Sequence, residues 1–184
     1  MKKTAHVENN QSLDSSVPIS VHMLYCYCKH ALRDGQKLPL HLDHGVFEDD
    51  YELNLHIDDI SPLYHFESLS GNCVVVYIWH IYTKLVKEKK RDKFIFVNPH
   101  SIPCLKKTTQ DKTGKIERLN MRTSSLEDRL SGASLNQLVL VPSSLGCHWI
   151  LTVIEPYKDV FYLLDSLSHS NKGRKGRKNR CNGM

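Results

Sequence analysis

Residues 137–167 read QLVLVPSSLGCHWILTVIEPYKDVFYLLDSL, and the fold class turns on this stretch. It contains three apolar runs, 137–141, 148–155 and 160–165. Pro156, Tyr157, Lys158 and Asp159 separate the last two, with the proline where a tight turn favours it. The runs are nearly continuous rather than alternating, which predicts strands buried on both faces. Counting outward from the turn sets 155 against 160 and 148 against roughly 167. His148 and Asp165 then sit at the same open end of a hairpin, neighbours within a residue or two. A carboxylate in that position fixes the tautomer of an imidazole and stabilises its protonated form. Such a pair supplies two parts of a nucleophile–base–orienter arrangement. Spacing alone equally allows two strand-end residues with no joint role.

Working upstream, residues 20–33 carry apolar side chains at 21, 24, 25, 28 and 32, a helical spacing that Asp34 and Gly35 end. Leu38, Leu40 and Leu42 alternate with Pro39, His41 and Asp43, as in a short strand. A short helix is expected over 57–66, with Pro62 near its first turn. The clearest helix follows. Ser70 or Asn72 caps it, Val74, Tyr77, Ile78, Ile81, Tyr82 and Leu85 form its apolar face, and its end is basic. Residues 94–97 read as a strand halted by Asn98 and Pro99, and residues 124–130 as a helix with Glu127 completing a capping box on Ser124. Helices first and a packed strand cluster afterwards give an α+β class, with a short mixed or antiparallel sheet.

Composition bounds the function. The chain has 184 residues, 40% of them hydrophobic, and a formal charge of +5. Six of the 25 Lys and Arg lie within 172–180, so the excess belongs to the tail and the body is close to neutral. A nucleic-acid role for the whole chain is therefore weakly supported. The body is polarised: residues 43–67 hold eight acids and no Lys or Arg, and read as a solvated face. The longest apolar run, 73–79, has seven residues, against about 20 for a membrane span. Residues 1–19 read as a disordered lead-in without a secretory signal, 20–168 as the folded domain, and 169–184 as a disordered basic tail. Six cysteines without a CxxC pair point to free thiols in an intracellular, reducing setting.

The blocks LVLVPSSLGCHWILTVIE and VFYLLDSL resemble the His and Asp blocks of the ubiquitin-like-protein (SUMO)-specific cysteine proteases, the ULP/sentrin protease family. His148, Trp149, Asp165 and Ser166 match that pattern. The upstream segment HIDDISPLYHFESLSGNCVVVYIWHIYTKL, followed by FIFVNP, is similar to the plant, transposon-linked branch. The resemblance covers roughly residues 40–168. It implies a papain-like α+β fold, His148 as general base, Asp165 as its orienter, and Trp149 shaping a channel for a Gly-Gly tail. It implies as partners SUMO-type modifiers or their conjugates, and no cofactor.

The family's Gln and Cys block should follow Asp165 by some tens of residues, and only 19 residues follow here. The reading is therefore of a member truncated before its nucleophile and inactive as given. Cys181 lacks the Gln and Gly context; Cys147 should point away from His148; Cys73 begins a helix, where a thiol pKa can fall, but precedes the Asp instead of following it. The alternatives are a non-catalytic modifier-binding fragment or a nucleic-acid-associated, transposon-derived product. For the latter, residues 172–180 would give salt-sensitive binding or a nuclear address. His22, Cys26, Cys28 and His30 read as packing residues of a helix and not as a metal site, since Cys26 and Cys28 fall on different faces.

Overall fold

In a computed structural model the described residues are 16–47, 51–102, 123–146 and 148–167. The elements run in the order α1 (Ile19–Ala31), β1 (Leu38–Leu42), β2 (Tyr51–Leu55), α2 (Ile57–Tyr64), α3 (Gly71–Lys87), β3 (Phe94–Phe96), α4 (123–131), β4 (Leu138–Ser144), β5 (Trp149–Glu155) and β6 (Val160–Asp165). The class is α+β. β1 and β2 form an antiparallel pair, and β3–β4–β5–β6 form one sheet in that order. β3 is parallel to β4, and the other two pairings are antiparallel.

Alternation along β4 sorts the molecule into layers, because successive side chains point to opposite faces. Leu140 packs with Phe96 against α3 and the β1–β2 pair, where Leu42, Phe47, Leu53, Val75, Ile78 and Tyr82 are buried. Val139 and Val141 point the other way, into a second core with Val97, Ile102 and Ala133 that Leu126 and Leu130 of α4 cover. The sheet is thus sandwiched between α3 and α4 over β3 and β4. A third cluster joins Cys28 and Leu32 to Ile60 of α2. Val75, Val97 and Val139 are fully buried, each contributing about 1.5–3 kcal/mol of apolar transfer.

Caps and turns behave as local chemistry demands. Ser70 is the N-cap of α3, its hydroxyl accepting from the Cys73 N–H at 3.2 Å. The β5–β6 turn closes with Asp159 in the left-handed region, φ 52°, which Asp tolerates better than most residues.

Three expectations need correction. Pro62 lies at the sixth of the eight positions of α2, not in its first turn. The short helix holds Pro62 with Ile60 buried beside α1, and it ends at Tyr64. Within the acidic stretch 43–67, Val46, Phe47, Leu53, Leu55, Asp59 and Ile60 are buried; only part of it is a solvated face, and β2 was hidden within it. The second and third apolar strands are not buried on both faces: β5 is half-buried along its whole length. Phe161, Tyr162, Leu163 and Leu164 of β6 are about half exposed, because β6 is an edge strand that neither α3 nor α4 reaches. Residues 1–15, 48–50, 103–122, 147 and 168–184 lie outside the described residues, and with them Cys104, Cys147, Cys181 and the basic tail.

Candidate active site

The β5–β6 register pairs Glu155 with Val160 and Ile150 with Asp165. Extended by two residues, it sets 148 against 167, so His148 and Asp165 stand diagonally at the open end of the hairpin. Nε2 of His148 lies 3.3 Å from Oδ1 of Asp165. Both side chains are largely enclosed, 19% and 29% exposed, so their attraction is screened less than that of a fully exposed pair. Oδ1 also accepts the Leu167 N–H at 3.0 Å, which holds the carboxylate against the strand end. The 3.3 Å approach brings the carboxylate to Nε2 without hydrogen-bond geometry.

Trp149 begins β5 and lies on the opposite face, opposite Ser144 of β4. Its indole N–H donates to the Leu69 carbonyl at 2.8 Å, tying the sheet to the segment before α3. Gly71, the first residue of α3, permits the approach of a second ring. A methyl group there would sit 2.7 Å from Nε2 of His100 and 3.9 Å from the Trp149 ring. Nδ1 of His100 is 2.7 Å from the Tyr51 hydroxyl. Burial lowers the His100 pKa, against the opposing pull of the Asp59 carboxylate, which favours a neutral ring.

Asp59 organises the neighbouring helix starts. Its Oδ2 accepts the His56 N–H at 2.9 Å and the Asn72 amide at 3.1 Å. Burial alone would raise its pKa, but hydrogen bonds from His56, Asn72 and Ser70 outweigh burial and hold the carboxyl below its usual range. Cys73 shares this cluster without being activated by it. Its thiol donates to the Asp59 carbonyl oxygen at 2.9 Å. Burial pushes its pKa up, the Ser70 hydroxyl opposes this, and the Asp59 charge adds to the rise. A protonated, donating thiol is a poor nucleophile. Cys28 is buried, and its pKa too is raised by burial, while Cys26 is exposed. The Cys26 sulfur lies 3.5 Å from His22 Nε2, and no group of three or more metal-ligating side chains forms among the described residues.

The structure places His148, Asp165 and Trp149 at one end of one sheet, with His148 and Asp165 in contact and Trp149 facing the other way. Sequence reasoning anticipated that the first two are neighbours, by counting from the turn. It missed the partners of Trp149: Leu69 through its backbone, Gly71 through its lack of a side chain, and the Tyr51–His100 pair beyond. The only available signal was the Asn98-Pro99 strand stop, which places His100 in a tight turn. No protein-family model, curated protein or solved structure matches the chain.

Proposed function

We propose that this chain is a cysteine-peptidase domain of the ubiquitin-like-modifier type, papain-like in architecture, with His148 as general base and Asp165 as its orienting carboxylate. The observation that carries the reading is the 3.3 Å contact of His148 with Asp165 at the open end of β5 and β6. In this scheme His148 takes the proton of a thiol, the thiolate attacks the carbonyl of the second glycine of a Gly-Gly tail, the imidazolium protonates the departing amine, and water then hydrolyses the thioester with His148 as base. Trp149, tied to Leu69 on the other face of β5, stands at the end of the sheet that the tail must pass to reach His148, and walls the channel there. None of the three described cysteines is set up as that thiol: Cys26 is exposed on α1, Cys28 is buried with a raised pKa, and Cys73 is held protonated by burial and by Asp59. With the described cysteines in these states, the reading expects binding of a SUMO-type modifier without cleavage by Cys26, Cys28 or Cys73. The arrangement of Cys73 equally favours a second reading, a binding module that never turns over.

The test combines binding and cleavage. The chain is titrated into an isotope-labelled SUMO-type modifier ending in Gly-Gly and, separately, incubated with a modifier fusion. Resonance shifts confined to the modifier's C-terminal tail, reduced by Trp149→Ala, are expected, together with an intact fusion. Absence of shifts from a folded chain refutes the family reading. Cleavage abolished by His148→Ala would instead refute the claim of inactivity and identify the His148–Asp165 pair as part of a working enzyme.

A further inference from the structure

The outer edge of β6 pairs with no strand among the described residues. Its side chains are apolar on both faces: Phe161, Tyr162, Leu163 and Leu164 are 52%, 49%, 57% and 55% exposed. Edge strands normally carry a lysine, a proline or a bulge, or are very short, because an open row of N–H and C=O groups invites another strand. The opposite edge, β3, follows that rule: it has three residues and is preceded by Arg91, Asp92 and Lys93. β6 has six residues, no lysine and no proline, and its single charge, Asp165, is turned to His148. The residues that follow, 168–184, hold six Lys and Arg and no apolar residue before Cys181, so they lack the composition of a covering strand.

We propose that β6 is a homodimerisation edge: two copies of this chain pair β6 to β6 antiparallel and join their sheets into one of eight strands. Self-complementarity selects the partner. Two identical strands in one continuous sheet are related by a two-fold axis normal to it, so one residue faces its own copy. Centring on Phe161 or Leu164 pairs at most three residues of the strand. Centring on Tyr162 sets Asp159 against Asp165 of the second copy, an unfavourable like-charge opposition. Centring on Leu163 pairs five residues, 161–165, sets Tyr162 against Leu164 of the second copy, and opposes no like charges. In that register the two Leu167 residues lie eight positions apart, about 26 Å at the rise of a strand. The basic segments that follow them start well beyond a Debye length of about 8 Å, so tail repulsion does not prevent pairing.

Sedimentation of the full chain over a concentration series tests the proposal. Wild type is expected to rise from 21.2 kDa to twice that mass, and Leu163→Lys to remain at 21.2 kDa, because the axis sets two lysines face to face. Leu163 is more than half exposed, so circular dichroism should report an unchanged fold. The register is read by cross-linking with oxidised glutathione, with wild type as background for the native thiols. Leu163→Cys should give a new covalent dimer, since directly opposed residues stand about 4.5–5.5 Å apart, within disulfide reach. Tyr162→Cys should not. A monomer at every concentration, species beyond the dimer, or equal cross-linking at 162 and 163 overturns the proposal.

Discussion

Replacing Asp59 by alanine tests the view that one buried carboxylate fixes the starts of both α2 and α3. Asp59 is 9% exposed and accepts from the His56 N–H at 2.9 Å and the Asn72 amide at 3.1 Å. Hydrogen bonds to a charged acceptor are worth about 1.5–3 kcal/mol each, a net value that already includes the donor left without its partner. Asn72 recovers part of the loss because its amide also lies 3.5 Å from the Asn54 carbonyl. The net cost is then about 2–4 kcal/mol, a fall in melting temperature of roughly 10 °C for a chain of this size. Asp59→Asn keeps an acceptor and loses only the charge, and should cost about 1 kcal/mol.

The pH dependence gives an independent check on the same residue. The folded carboxyl is held below its ordinary value of 3.8, so the folded state binds fewer protons than the unfolded state in that range. Its contribution is complete above the unfolded value and is lost as pH falls through the lower, folded one. Urea unfolding should therefore show a gap between wild type and Asp59→Asn at about pH 7 that narrows once the pH falls below the ordinary carboxyl value of 3.8. An alanine variant with an unchanged midpoint, or a gap of equal size above and below that value, would refute the reasoning.

Val139→Ala, at a fully buried position between β3 and β5, should cost about 2–3 kcal/mol in chemical denaturation, since two methyl groups and a cavity are involved. Alkylation mapped by mass spectrometry at about pH 7.5 should label Cys26 well before Cys28 and Cys73, because the latter two thiols have pKa values raised by burial. Labelling of Cys73 first would mean that its thiol is not held by Asp59. Gly71→Ala should leave stability within about 1 kcal/mol of wild type, as the helix-propensity gain of alanine offsets one lost hydrogen bond. It should nevertheless displace His100 from the Tyr51 hydroxyl, a change visible in the His100 ring resonances.

Much of the fold was legible because its signals are local. The helical spacing over 20–33 and 74–85 matches α1 and α3, and Ser70 is the cap that its side chain allows. The four-residue turn at 156–159 fixes the β5–β6 register by counting alone, and that register brings His148 to Asp165. β2 was not legible, since its five residues lie in an acidic stretch whose charges mask the Leu53 and Leu55 alternation.

What the sequence by itself determined was therefore element type, caps, and the pairing of strands joined by a short turn. Each of these depends on residues within a few positions of one another. Only the tertiary structure decided which apolar residues are buried, because burial depends on what the rest of the chain brings alongside. The apolar runs of β4 and β6 look alike in sequence, yet α3 and α4 enclose the first and leave the second as an open edge. The same dependence explains Cys73. A helix start favours a reactive thiolate, but burial holds the proton on it, with the charge of Asp59 and a hydrogen bond to the Asp59 carbonyl, 14 residues away, adding to the effect.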